Sequence, residues 1–274
     1  MRVFSDYKEK RGVPMFETGY EKFKKDIYAL TKIDLNAYKE RQMKRRIDTL
    51  INKHVFKTYD EFVASIKTNK ALFDEFVNYL TINVSEFYRN PEQWKYLEEK
   101  VIPDLIKNFG HGIKIWSAAC STGDEPYSLA MLMSKFLPLN QIKIIATDID
   151  DQVLSKAKIG LYKDTSLASL PDEFKNKYFT KVTDSTYQIK DEIKKCVQFN
   201  KGNLLTDKYP TGLHLILCRN VLIYFTEEAK LDVYRKFNDA LVSSGVLFVG
   251  STEQITNYKD LNYNSPKSFF YKKN

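Results

Sequence analysis

The sequence predicts an α/β fold: an open, mainly parallel sheet with a small antiparallel β insertion, preceded by an all-helical N-terminal domain. Three observations predict it. Residues 113–159 read strand, small-residue loop, helix, strand, helix. Residues 20–80 carry helical periodicity throughout, and residues 160–200 break the alternation before a strand–helix–strand pattern returns over 213–249. A chain of 274 residues with 43% hydrophobic content accommodates one large α/β domain, a smaller one and a substantial core.

Taken in order, residues 1–19 are mixed and polar, with Gly12, Pro14 and Gly19, and are expected to form a mobile lead-in. Tyr20, Phe23, Ile27 and Leu30 mark a first helix, and Met43, Ile47, Leu50, Ile51 and His54 a second. Thr58-Tyr59-Asp60-Glu61 has the capping-box pattern and starts a third helix with Phe62, Val63 and Ile66 inward. Leu72, Phe76, Tyr79 and Leu80 mark a fourth. The helical domain is placed at 20–90 and a linker helix at 91–112. That helix starts at Asn90-Pro91 and runs through Trp94, Leu97, Val101 and Leu105, and Pro103 should kink or shorten it.

The α/β domain, 113–274, opens with IKIWSAACSTGDEPYS at 113–128. The spacing predicts a strand over 113–118, a helix over about 125–137, a second strand over 142–147 and a helix over about 150–159. Pro126 is tolerated in the first turn of its helix, where an N–H has no intrahelical partner. Within 160–200, Ser185–Ile189 and Cys196–Phe199 alternate like two short strands joined by the charged turn Lys190–Lys195, giving the antiparallel insertion. Leu213–Cys218 reads as a buried strand, 226–242 as a helix, Val246–Val249 as a strand and Ser268–Tyr271 as a last strand. His54 and His214 fall on apolar patterns and are expected to pack rather than to bind or catalyse.

The loop Ala118–Gly123 is made of small side chains that let backbone approach a ligand closely, in the Rossmann-like position after the first strand. It lacks GxGxxG spacing, and Asp124 and Glu125 at the helix start would repel a phosphate. The pattern therefore suits a nucleoside with a positive tail, for which S-adenosylmethionine is the candidate; acids that merely favour the helix dipole are the alternative. Asp148, at the tip of the second strand, is placed to accept hydrogen bonds from both ribose hydroxyls, whereas Asp150 suits a helix N-cap.

Composition narrows the setting. No apolar run reaches the ~20 residues of a membrane span, and MRVFSDYKEKRG lacks the apolar region of a secretory signal. Cys120, Cys196 and Cys218 are scattered without a CxxC pair, which fits a reduced cytoplasmic protein without a metal site. The net charge of +8 fits an acidic partner, whether RNA, acidic helix or anionic membrane surface. The dense run Lys39, Arg41, Lys44, Arg45 and Arg46 on the second helix reads either as a solvated face or as a docking face for such a partner.

Four separated segments, NVSEFYR at 83–89, WSAACSTGDEPYS at 116–128, TDID at 147–150 and CRNVLIYF at 218–225, together resemble the CheR chemotaxis receptor methyltransferases. The resemblance runs over roughly residues 20–272. It implies a Rossmann-like class I methyltransferase domain and S-adenosylmethionine-dependent methylation of glutamates on the cytoplasmic helices of methyl-accepting chemotaxis receptors. The products would be glutamate methyl esters, serving sensory adaptation, and S-adenosylhomocysteine. It implies cofactor contacts at Asn83, Ser85, Arg89, Glu125, Asp148, Asn203, Leu204, Arg219 and Asn220. Arg89 would orient the substrate carboxylate and Tyr224 position the methyl group or the attacking oxygen. Lys39, Lys44, Arg45 and Arg46 become candidates for docking the receptor's acidic helices. Ser85 stands where many relatives have Thr, and Asp124 where Glu is common.

The chemistry agrees with this inventory. A glutamate carboxylate is already ionised at neutral pH, so methyl transfer to it needs no general base, and no Ser–His or Cys–His constellation accompanies the motifs. A nucleic-acid methyltransferase would share the cofactor and the basic surface but would want a base-flipping pocket. Amino-directed enzymes of that kind show a [DNS]PP[YFW] turn where this chain has Arg219-Asn220-Val221, and Cys218 as a cytosine nucleophile sits in a buried strand. A non-catalytic receptor adaptor would be expected to lack the acids and the arginine, and Arg89, Glu125 and Asp148 are all present.

Overall fold

The computed structural model describes residues 19–274, so most of the 1–19 lead-in lies outside the described residues. The chain divides into two compact units between Leu80 and Thr81; the connector to residue 90 thus goes with the larger unit.

The smaller unit is helical: α1 (Tyr20–Thr31), α2 (Glu40–Lys53), α3 (Tyr59–Thr68) and α4 (Lys70–Thr81). Its core is aromatic, with Phe23 against Tyr59 at 4.7 Å and Phe62 against Phe76 at 5.3 Å between ring centroids. The capping box forms around Thr58, whose Oγ accepts the Glu61 N–H at 3.1 Å, while the Glu61 carboxylate reaches back to the Lys57 N–H. His54 closes α2 and meets the Glu75 carboxylate at 2.9 Å, a boundary role.

In the larger unit α5 (Pro91–Tyr96), a π turn (Leu97–Val101) and α6 (Ile102–Phe109) form one continuous helical run. Pro103 does not cut it short. A local widening, in which the Ile102 N–H reaches the Leu97 carbonyl, accommodates the missing donor without ending the run.

The elements that follow are β1 (Ile115–Ala118), α7 (Asp124–Met133), β2 (Ile144–Asp148), α8 (Asp151–Ile159), β3 (Leu161–Lys163), α9 (Asp172–Tyr178), β4 (Phe179–Thr183), β5 (Thr186–Ile189), α10 (Asp191–Lys194), β6 (Val197–Lys201), β7 (Leu213–Cys218), α11 (Glu227–Ala240), β8 (Leu241–Val249), β9 (Tyr263–Lys267) and β10 (Phe270–Lys273). The main sheet runs β6-β2-β1-β7-β8-β10-β9. Its first five strands are parallel and β10 runs antiparallel to both neighbours. This is a doubly wound order whose reversal lies between β1 and β7, so a ligand crevice forms outside the carboxyl ends of these strands. Below the crevice, Trp94, Leu97 and Leu105 share one core with Tyr127, Leu129, Ile115, Ile144, Leu215 and Phe248.

Two expectations for the insertion are corrected. Cys196–Phe199 is not half of a hairpin; Val197–Lys201 pairs in parallel with β2, register Ile144 to Val197, and forms the edge of the main sheet. The charged stretch Lys190–Lys195 holds the short helix α10. The antiparallel sheet is instead β3-β5-β4, with β5 central. Alternation in a four-residue run reports a two-faced strand and says nothing about its partner. At the C-terminus the last strand starts at Phe270 rather than Ser268, and a partner strand, β9, precedes it. β8 begins at Leu241, five residues before the apolar run that marks it in sequence.

Candidate cofactor site

The loop between β1 and α7 is shaped by its small residues. Ala119, Ser121 and Gly123 all adopt positive φ, at 63°, 48° and 88°. A Cβ on Gly123 would stand 2.9 Å from the Ala157 side chain and 3.1 Å from Tyr127, so glycine is required where α7 meets α8. The turn starts α7 with two acids. Asp124 is buried and accepts from the Thr122 hydroxyl at 2.5 Å and from the Ser85 hydroxyl, and burial raises its carboxyl above the ordinary range.

Glu125 accepts from the Ser117 hydroxyl at 2.7 Å and faces the Arg219 guanidinium at 3.7 Å. Burial raises the Glu125 carboxyl and lowers the Arg219 guanidinium, and each partner opposes the other's shift.

At the tip of β2, Asp148 is 6% exposed. Its Oδ2 accepts the Ser121 N–H at 2.8 Å and its Oδ1 the Asp150 N–H at 3.0 Å, so the carboxylate ties the first loop to the second. Burial pushes its pKa up to about 6, against the pull of those N–H groups. Asp150 is the N-cap of α8, as its position suggested, accepting the Gln152 N–H at 2.8 Å. Its other oxygen accepts from Thr81 Oγ at 3.0 Å and from Asn83 Nδ2 at 2.9 Å. Asn83 is therefore brought to this end of the sheet with its amide nitrogen spent on Asp150.

The connector that carries Asn83, Ser85 and Arg89 is pinned at several points. The Phe87 N–H reaches the Ser166 carbonyl at 3.0 Å and the Tyr88 N–H the Ser128 hydroxyl at 3.1 Å. Ile82, Tyr88 and Asn90 take positive φ, a backbone conformation that carries a cost. The Arg89 carbonyl accepts from Trp94 Nε1 at 3.0 Å and from Arg219 Nη2 at 2.7 Å. Its own guanidinium is half-buried and touches the Val84 carbonyl at 3.2 Å.

At the end of β7, Arg219 Nη2 also reaches Asn90 Oδ1 at 3.2 Å and Gln93 Oε1 at 3.0 Å, and the guanidinium lies 4.6 Å from the Phe248 ring centroid. Asn220 follows with φ 62°. The turn from Asn220 to Ile223 is organised by a residue that sequence reading misses, Glu253. Its carboxylate, 5% exposed, collects the N–H groups of Asn220, Leu222, Ile223 and Gly250. A lone acid in a polar run carries no local signal of main-chain partners.

Asn203 and Leu204 follow β6 at the same edge. The Gly202 N–H bonds the Asp148 carbonyl at 2.9 Å, and Asn203 Oδ1 accepts the Leu205 N–H at 2.9 Å. Tyr224 closes a short turn, Leu222–Tyr224, and is half-buried.

A family model described as the CheR methyltransferase SAM-binding domain matches residues 83–270, and a second, the CheR methyltransferase all-alpha domain, matches residues 18–81. The chain belongs to the CheR methyltransferase family. A chemotaxis protein methyltransferase of Listeria innocua is 42% identical over 94% of this chain and 98% of its own length. Proteins of the same name are 33% identical in Borreliella burgdorferi, over 91% of this chain and 92% of theirs, and in Pseudomonas aeruginosa, as number 1 of its kind, 32% identical over 88% and 92%.

The cofactor of this CheR domain is S-adenosylmethionine, and the residues present fit it. Ser121 Oγ, Asn220 Oδ1 and Arg219 Nε are buried without a hydrogen-bond partner. They belong to the same strand ends as the Asp148 and Glu125 carboxylates. Buried polar atoms normally have partners, so three open ones beside two acids suit a polar, cationic ligand. Cys218 is fully buried and burial raises its thiol well above the ordinary range, which removes it as a nucleophile. His214 packs on Phe109 at 4.6 Å and accepts the Lys114 N–H.

The cations of α2 belong to the helical unit and do not behave as one group. Lys44 pairs with Asp48 at 2.8 Å and lies 5.6 Å from the Tyr20 ring centroid. Arg46 donates to the Tyr79 carbonyl at 2.7 Å and covers the Tyr79 ring. Arg45 is exposed, as is Arg41, and Lys39 is the half-exposed residue before the first turn.

Proposed function

We propose that this chain transfers the methyl group of S-adenosylmethionine to glutamate side chains on the cytoplasmic helices of methyl-accepting chemotaxis receptors, acting in the cytoplasm. The observation that carries the reading is the set of strand ends where the Glu125 and Asp148 carboxylates lie with three buried polar atoms that have no protein partner, a donor and acceptor set suited to a cationic nucleoside. The chemotaxis names of the relatives support the setting.

In this reading Asp148 accepts the ribose hydroxyls and Glu125 faces the positive methionine end. Asn83, through its amide oxygen, joins Ser85, Arg89, Asn203, Leu204, Arg219 and Asn220 around the remainder. When bound, S-adenosylmethionine supplies a methyl group activated by its sulfonium. Arg89 orients the incoming carboxylate, which is already ionised and needs no base. Tyr224 positions the attacking oxygen or the methyl. Charge is neutralised as the bond forms, so excluding water and aligning the groups supplies most of the acceleration. The exposed cations of α2 meet the acidic receptor helices.

The test is methyl transfer from tritiated S-adenosylmethionine with a receptor cytoplasmic fragment and RNA as competing acceptors. Expected is base-labile label on the receptor fragment, the mark of a carboxyl ester. Base-stable label on RNA, or cofactor binding with no transfer to either, would replace this reading by a nucleic-acid enzyme or an adaptor.

A further inference from the structure

Glu253 forms no ion pair among the described residues, although Arg219 feels its charge; its hydrogen-bond partners are main-chain N–H groups from two loops. Oε2 takes those of Asn220 and, at 2.9 Å, Gly250. Oε1 takes those of Leu222 at 2.7 Å and Ile223 at 3.3 Å. β7 and β8 are parallel neighbours with Cys218 opposite Val249, so the two loops leave the sheet side by side and one carboxylate ties them. Gly250 is part of the device, since a Cβ there would lie 2.6 Å from Glu253 Oε2 and 2.8 Å from the Asn220 nitrogen.

The turn so held is strained and aimed. Asn220 sits at φ 62°, a conformation asparagine tolerates but does not prefer. Its amide oxygen is buried with no protein partner. Leaving a buried acceptor open costs free energy, and the fold accepts that cost in a turn whose own N–H groups are held by one carboxylate.

We propose that Glu253 is a positioning residue for the cofactor: its carboxylate fixes the turn after β7 so that the Asn220 amide oxygen faces the bound nucleoside. The inference rests on the assignment of Asn220 to the cofactor made above. A carboxylate is needed because both its oxygens accept. A glutamine would turn an NH2 donor toward one of the two N–H pairs, losing those bonds and setting donor against donor.

The experiment is a double-mutant cycle on S-adenosylhomocysteine affinity, measured by calorimetry for the full chain, Asn220→Ala, Glu253→Gln and both together. Each single change is expected to weaken binding about tenfold, and the pair about as much as the worse single, because Glu253 acts through Asn220. Gly250→Ala keeps the charge and displaces the carboxylate, and it is expected to reproduce the effect if Glu253→Gln fails to fold. Phe237→Leu, a core change under the sheet, serves as a control for lost stability and is expected to bind like the parent. Losses that multiply in the double mutant, wild-type affinity in a folded Glu253→Gln or Gly250→Ala, or an equal loss in the control would each overturn the proposal. If Asn220→Ala itself binds like the parent, the fault lies in the assignment of Asn220 and the route through it falls too.

Discussion

On α2, Lys44 meets Asp48 at 2.8 Å with 25% and 22% of the two side chains in water; at the end of β7, Arg219 faces Glu125 at the longer distance of 3.7 Å with 3% and 13% exposed. Distance alone would rank the helix pair first. Burial reverses the order. A partly exposed i,i+4 pair contributes about 0–1 kcal/mol, whereas removing one partner of a buried pair leaves a charge stranded at a cost of about 3–5 kcal/mol. Arg219 also carries hydrogen bonds to Arg89, Asn90 and Gln93, so it joins the connector to the sheet. The contrast teaches where to look for function: on α2 the cations spend themselves on acids, carbonyls and rings of their own unit or stand in solvent, while at the strand ends charge is kept dry.

Removing Arg219 is the sharpest way to break this contrast. Arg219→Ala is expected to lower unfolding free energy by about 3–5 kcal/mol in urea titration, and Lys44→Ala by less than ~1 kcal/mol. Equal losses would mean that the strand-end pair is as well solvated as the helix pair. Glu125→Gln combined with Arg219→Ala is expected to recover part of the loss, because the stranded charge is gone.

Arg89 tests the same edge through rate. Its carbonyl is structural, serving Trp94 and Arg219, but its side chain makes one modest bond to the Val84 carbonyl. Arg89→Ala is therefore expected to fold normally and to lower the methylation rate by about a hundredfold, the loss of an orienting charge in a water-poor site. Arg89→Lys is expected to restore little, since the forked donor geometry is lost. Turnover near that of the parent would remove Arg89 from the reaction.

Asp148 sharpens the comparison through pH. Asp148→Ala is expected to weaken S-adenosylmethionine binding at least tenfold at pH 7.5, about what one charge-assisted hydrogen bond contributes. Burial holds the carboxyl at a pKa of about 6, so it is ionised at neutral pH and mostly protonated at pH 5. Ribose hydroxyls need the ionised acceptor, so affinity is expected to fall as pH drops through 6, approaching tenfold per unit below it. Asp148→Asn should flatten that slope in calorimetry between pH 5 and 7.5; an unchanged slope would place the titration elsewhere.

How much of this was legible in the sequence follows the range of the forces involved. The first loop and the tip of β2 are written locally: small residues, an acid and an N-cap lie within a few positions, and local geometry suffices. The antiparallel insertion was legible as an insertion, but the partner of Cys196–Phe199 was not, because pairing depends on β2, about 50 residues earlier. Glu253 was invisible for the same reason: three of its four partners lie about 30 residues upstream, and all are main-chain groups without side-chain signature. At Pro103 the expected kink or shortening leaves the helical run unbroken, with a π turn just before it, because proline forbids one hydrogen bond, not a helix.

The smallest expected effect concerns the basic run itself, which the sequence offered as one docking face and the structure divides. Lys44 and Arg46 have work inside the helical unit: one neutralises Asp48 and lies near the Tyr20 and Tyr59 rings, the other holds the C-terminal end of α4 through the Tyr79 carbonyl. Arg45 is exposed and Lys39 half-exposed, so these two can meet an acidic partner without first breaking a bond at home. Reversing them, Lys39→Glu with Arg45→Glu, is expected to raise KM for a receptor fragment several-fold at low salt and to flatten its dependence on ionic strength. Solvated charges steer association over about a Debye length and are screened beyond it. kcat and cofactor affinity should hold, because the residues proposed for the cofactor begin at Asn83. Lys44→Glu is expected to behave differently, lowering thermal stability by placing an acid four residues from Asp48 while adding little to the KM of the double reversal. If the double reversal leaves KM and its salt dependence unchanged, α2 is a solvated helix, and the receptor is held elsewhere on the molecule.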